Sequence, residues 1–75
     1  MKFTRITISP EQMDGVPCIR NLRIPVATVV QMVAEGMTAG EVVQAMPDLE
    51  PEDIREALQY AATAVADHAM SYAMT

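Results

Sequence analysis

The chain has 75 residues, a formal net charge of −5, and an apolar share of 51 % with only 4 % aromatics and no Trp. A domain of this length buries only about 60 % of the surface its unfolded chain exposes, so it holds one small core. A single cysteine (Cys18) and a single histidine (His68) exclude an internal disulfide framework and argue against a dedicated metal site, which leaves association with another chain as the way to gain buried surface.

Phe3 to Ile8 combines β-branched residues with partial alternation and predicts a short strand, stopped by Ser9 and Pro10. Pro10 suits the start of a single helical turn through Glu11 and Gln12 with Ser9 as its cap, and Asp14-Gly15 is a turn signal. Val16 to Val26 reads as a second extended piece folded back at Asn21, kept irregular by Pro17 and Pro25. From Val26 the period changes. Val26, Val29, Val30 and Val33 lie on one helical face, with Gly36 as the C-terminal stop. Thr38 and Glu41 have the spacing of a capping box and open a second short helix that Pro47 ends. A third helix begins near Pro51, with Ile54, Ala57, Leu58, Ala61 and Val65 as its apolar stripe. Running to about Tyr72, it spans roughly 22 residues or about 33 Å. Its far end, from Ala62 on, overhangs the compact part and offers small residues and Met to another chain.

The expected fold is therefore mainly α: a small three-helix domain with a short N-terminal β hairpin and a long C-terminal helix. Its parts are 1–25 (β element), 26–62 (three-helix core) and 63–75 (helix extension), within one domain. No segment has the length and apolarity of a membrane span or the pattern of a signal peptide. The lone thiol fits a reducing compartment, so the expected location is the cytoplasm.

Charge is unevenly distributed. Residues 1–30 hold Lys2, Arg5, Arg20 and Arg23 against Glu11 and Asp14, a net of +2. Residues 31–75 hold Arg55 alone against eight carboxylates, a net of −7. The short–short–long order of helices suggests a helix-turn-helix, in which the third helix would enter the major groove with its first turn. That turn carries Glu50, Glu52, Asp53 and Glu56 against Arg55, the wrong sign for phosphates. Candidate DNA contacts are instead Lys2, Arg5, Arg20 and Arg23. There is no nucleophile set, glycine-rich phosphate loop or paired metal ligands, so the chain is not expected to be an enzyme or to hold a cofactor. Asp48, Glu50, Glu52 and Asp53 lack the spacing of a calcium loop and read as solvated partners of the helix dipole. Cys18 reads as a packed hairpin thiol, and His68 as a cap or surface residue.

Two runs carry a resemblance. Asp14 to Val26, with Arg23-Ile24-Pro25-Val26, and Ala34 to Ala61, with Pro47, Leu49, Pro51-Glu52-Asp53-Ile54 and Tyr60, resemble domain-of-unknown-function family 433, which includes VapB-like antitoxins. The resemblance implies a homeodomain-like or winged-helix-like three-helix fold. It also implies an antitoxin of a type II toxin–antitoxin pair that neutralises a PIN-like ribonuclease toxin through protein–protein contacts. The chain departs from the pattern at Asn21 and Leu22, where Gly and Thr are usual, and at Glu50, where a Thr or Ser cap is usual. On this reading Arg20 and Arg23 are candidates to enter the toxin's carboxylate-lined site, because a guanidinium pairs with carboxylates bidentately. Val65, Met70 and Tyr72 are candidate apolar anchors on the overhanging helix. A homodimer is expected from the small core and the Met-rich third helix. The alternative is a DNA-binding autoregulator of helix-turn-helix type.

Overall fold

The computed structural model describes the backbone of residues 3–73 and the side chains of residues 3–67. Two short strands, β1 (Ile6–Thr7) and β2 (Cys18–Ile19), precede three helices: α1 (Val26–Ala34), α2 (Ala39–Ala45) and α3 (Pro51–Ala73). This is the expected mainly helical domain with a small N-terminal sheet and a long last helix.

β1 and β2 pair antiparallel, Ile6 opposite Ile19 and Thr7 opposite Cys18. The strand expected over Phe3–Ile8 is trimmed to two residues, because β2 is short and turns back immediately. Arg20 and Asn21 both have positive φ (42° and 63°), and the Leu22 N–H donates to the Ile19 carbonyl at 2.7 Å. Two successive positive φ values make a primed turn, the type whose twist matches paired strands. Arg23 follows at φ 59°, and the loop closes when the Ile19 N–H donates to the Ile24 carbonyl at 2.9 Å. Cys18 bridges Pro25, so residues 24–26 act as a third, minimal edge.

The connection from β1 to β2 differs from the expected helical turn at Pro10–Gln12. The Gln12 N–H closes a turn on the Ser9 carbonyl, and Ser9 Oγ accepts from the Glu11 N–H as expected of a cap. The helical piece itself is a 3-10 turn displaced to Met13–Gly15, with Met13, Asp14 and Gly15 all at positive φ.

Helix ends follow local chemistry. At the end of α1, Gly36 adopts φ 101°; its N–H donates to the Val33 carbonyl, and the Met37 N–H reaches back to Met32. That pair of bonds is a Schellman stop, and glycine takes the left-handed position without a Cβ penalty. Thr38 and Glu41 form the full reciprocal capping box of α2, with the Thr38 N–H donating to Glu41 Oε1 at 2.8 Å and the Glu41 N–H to Thr38 Oγ1 at 3.1 Å.

The core draws one or two residues from β2 and from each helix: Ile19 from β2, Val26 and Val29 from α1, Val42 from α2, and Ile54 and Ala57 from α3, with Leu49 from the connection before α3 and Ile6 of β1 packed against it. Leu22 and Ile24 pack at its edge. Leu22, which replaces a usual Thr, thus has an apolar role in the turn. Phe3 meets Tyr60 edge-on, with ring centroids 5.3 Å apart, and so ties the start of the chain to the middle of α3. Beyond Ala61, residues 62–67 of α3 are exposed.

Candidate functional site

Three features stand out: a buried ion cluster at the start of α3, an exposed arginine on a left-handed loop, and an apolar groove between α1 and α3.

The ion cluster centres on Asp53, which is 0 % exposed. Its Oδ1 accepts from Arg5 Nη1 at 3.0 Å and Arg20 Nε at 2.9 Å, and its Oδ2 from Arg20 Nη2 and the Glu50 N–H, both at 2.8 Å. A carboxylate offers about four lone-pair sites, and all four are filled. Arg20 grips it as a fork and donates from Nη2 to the Asp48 carbonyl at 2.8 Å. Arg5 bonds Glu50 Oε1 at 2.7 Å, and its own N–H donates to Glu56 Oε1 at 2.6 Å. Burial alone would raise the pKa of Asp53. The hydrogen bonds from Arg20, from the Glu50 backbone and from Arg5 override it and hold the group at about 2. Arg5 is raised by its hydrogen bonds to Glu50 and Asp53, and Arg20 by its bond to Asp53.

This cluster redraws the charge pattern read from the sequence. Two of the front cations dock on carboxylates of the acidic back. Asp53 and Glu50, expected as solvated partners of the helix dipole, are respectively buried and ion-paired. The weak cap expected at Glu50 is compensated because Asp53, three residues on, accepts from the Glu50 N–H and supplies half of a capping box.

Arg23 is exposed and has no ion-pair partner among the described residues, Glu11 and Asp14 included. Its backbone is held at φ 59° because Leu22 and Ile24 on either side both pack toward the core.

The groove, about 420 Å³, is bounded on α1 by Val26, Ala27, Val30 and Gln31 and on α3 by Tyr60, Ala61, Ala64 and Val65. Each set has helical spacing i, i+1, i+4, i+5, so two parallel stripes face each other, and Val16 and Pro17 close the remaining side. The groove is open: Val65 is 67 % exposed and Val16 38 %.

Of the residues expected to contact a partner or DNA, Arg20 and Arg5 are committed to Asp53, Arg23 stands free on its loop, and Val65 lines the groove. Lys2 and the side chains of Met70 and Tyr72 lie outside the described residues, as does His68. Cys18 is buried, its Sγ 3.3 Å from the Val16 carbonyl and 3.8 Å from Met13 Sδ, which is the packed hairpin thiol expected. Among the described residues no three His, Cys, Asp or Glu side chains are grouped as metal ligands, and no helix is long and apolar enough to cross a membrane. Sequence reasoning missed the clamp at Asp53 and the groove. An Asp at the third position of a helix, in a chain whose only cation-rich stretch precedes it, was the available signal for the first.

The architecture is thus a hairpin ribbon clamped by two arginines to the start of the last of three helices. Residues 6–61 match the family described as Protein of unknown function (DUF433), and the chain belongs to that family. It is similar to the uncharacterized protein y4eO of Sinorhizobium fredii (strain NBRC 101917 / NGR234), with 39 % identity over 56 residues. That match covers 75 % of this chain and only 25 % of the relative's length. A DUF433 member from Anabaena variabilis ATCC 29413, known from a crystal structure, has the same fold, with a TM-score of 0.76 and 32 % identity. The match covers 92 % of this chain and 68 % of that one.

Proposed function

We propose that the chain is the antitoxin of a type II toxin–antitoxin pair, binding and neutralising a PIN-like ribonuclease through protein–protein contacts. The observation that carries this reading is the fate of the cations. Arg5 and Arg20 are spent on Asp53 and Glu50, so the described surface is left with Arg23 and Arg55 against seven carboxylates outside the cluster: Glu11, Asp14, Glu35, Glu41, Asp48, Glu52 and Asp67. Such a surface repels phosphates and suits a protein partner. Arg23 is the residue free to reach a carboxylate-lined active site, since recruiting Arg20 would strip a buried carboxylate of its fork. Arg23 also has Leu22 and Ile24 packed on either side, which fixes the loop that presents it.

The test is inhibition of RNA cleavage by the neighbouring PIN-like ribonuclease, with the full chain added at increasing molar ratio. Cleavage stops near equimolar chain on this reading. Arg23→Ala weakens inhibition by about tenfold, the loss of one charge-assisted hydrogen bond. Undiminished cleavage at excess chain overturns the reading. Retarded migration of the chain's own upstream DNA at low salt would instead support the DNA-binding regulator.

A further inference from the structure

We propose that the groove between α1 and α3 is the seat of an amphipathic helix from the partner protein, apolar on one face and flanked by Lys or Arg. The inference rests on the antitoxin reading for the partner's identity, but the groove's chemistry is argued from the chain alone.

The shape selects a helix. At about 420 Å³ the groove falls in the size range of ligand clefts, about 300–1,000 Å³. A small molecule in such a cleft loses most of its own surface, whereas here Val65 stands two-thirds exposed on the rim. Two facing helical stripes with Ala27, Ala61 and Ala64 between larger residues leave a shallow channel along their length, the form that accepts a helix through anchors at i, i+3 or i+4, and i+7.

The charge selects a basic occupant. Every element that lines the groove carries an exposed carboxylate within one turn of its lining residues. Asp14 precedes Val16, Glu35 lies one turn beyond Gln31 and touches it through Gln31 Nε2 at 3.4 Å, and Asp67 follows Ala64 by three residues. Against these three, among the described residues, stands one exposed cation, Arg23, before Val26. Arg5 and Arg20 are held at the start of α3 and do not balance the rim. A second copy of this chain would bring its own excess of acid to the same rim, so like-charge repulsion disfavours it.

The probe is a labelled helical peptide of about 18 residues with a leucine stripe and lysine flanks, titrated with the full chain by fluorescence anisotropy. Its counterpart keeps the leucines and exchanges lysine for glutamate. The lysine peptide binds, and binding weakens with salt, while the glutamate peptide binds at least about tenfold more weakly. Ala27→Glu and Val65→Glu, each at an exposed position, reduce lysine-peptide affinity by about tenfold, because a charge enters the apolar channel unpaired. Circular dichroism melting of both variants stays near that of the parent chain. The double exchange Glu35→Lys and Asp67→Lys reverses the preference between the peptides. Equal binding of both peptides, or of parent and variants, overturns the proposal. So does a dimer in light scattering that Val65→Glu dissolves, since the occupant is then a second copy. Peptide binding without inhibition of the ribonuclease keeps the groove and removes the antitoxin reading.

Discussion

Asp53 is the residue on which the N-terminal third of the chain depends. A fully buried carboxylate is tolerated only when paired and hydrogen-bonded, and here two arginines and a backbone N–H fill it. Asp53→Asn keeps the shape but loses the charge and turns one oxygen into an NH2 that faces two donors, one from Arg20 and the other from Arg5 or the Glu50 N–H. It is expected to destabilise the fold by about 3 kcal/mol, the low end of the range for breaking a buried ion pair. For a domain this small that lowers the melting temperature by roughly 10–20 °C, measurable by circular dichroism. The same group sets an acid limit. Its pKa falls from 3.8 to about 2 on folding, so the native state binds fewer protons than the unfolded state between those values. Its stabilisation is complete above pH 4–5 and is lost as the pH falls through 4 toward 2, amounting to about 2 kcal/mol. Denaturant titrations at pH 6 and pH 3 check this: stability is lower at pH 3 in the parent chain, and the difference shrinks in Asp53→Asn. The sequence made Arg5 and Arg20 conspicuous as cations but did not reveal their partner. Arg20 and Asp53 are 33 positions apart, and only the pairing of the ribbon with α3 brings them together.

At the level of elements, what was legible in the sequence was what local chemistry decides. The Thr38–Glu41 box and the Gly36 stop each lie within one turn of the backbone they satisfy. Thr38→Ala is therefore expected to cost about 1 kcal/mol. Gly36→Ala should cost a similar amount, about 1 kcal/mol, from the left-handed backbone alone, because no atom lies within 4 Å of the added Cβ. Urea denaturation of the two single variants and of the pair checks both values. Where tertiary contacts decide, the sequence was less legible. The Asp14-Gly15 turn signal falls inside the 3-10 turn at Met13–Gly15, but the positive φ of Met13 before it was not readable, and Cys18 nearby places Sγ against Met13 Sδ. Asn21 was readable as the turn residue, whereas Arg20 and Arg23 in the same backbone region were not. Their conformations follow from directing Arg20 at Asp53 while Leu22 and Ile24 reach the core. Asn21→Gly relieves a side-chain penalty at φ 63° and is expected to stabilise the chain by about 0.5 kcal/mol or leave it unchanged.

For the molecule as a whole, the division of labour along α3 is the decisive feature. Its first turns hold the ion cluster and the core residues Ile54 and Ala57; Tyr60 and Ala61 are half-buried; residues 62–67 are exposed. Core burial and the open wall of the groove thus fall on different halves of one helix. The periodic apolar residues of the sequence did not separate them, because Val65 continues the stripe of Ile54, Ala57 and Ala61 without a break although it faces an open groove rather than the core. A chain ending after Ala62 separates the two. It keeps every described buried residue, the Arg5–Asp53–Arg20 clamp and the Phe3–Tyr60 contact, so it should melt cooperatively within a few degrees of the parent. It loses Ala64 and Val65, half of the α3 wall of the groove, and with them, on the proposed reading, the lysine-flanked peptide and the ribonuclease. Calorimetric titration alongside thermal melting distinguishes the cases. Loss of binding with the melt preserved assigns the distal half to recognition, whereas an unfolded truncation would show that the distal half supports the core as well.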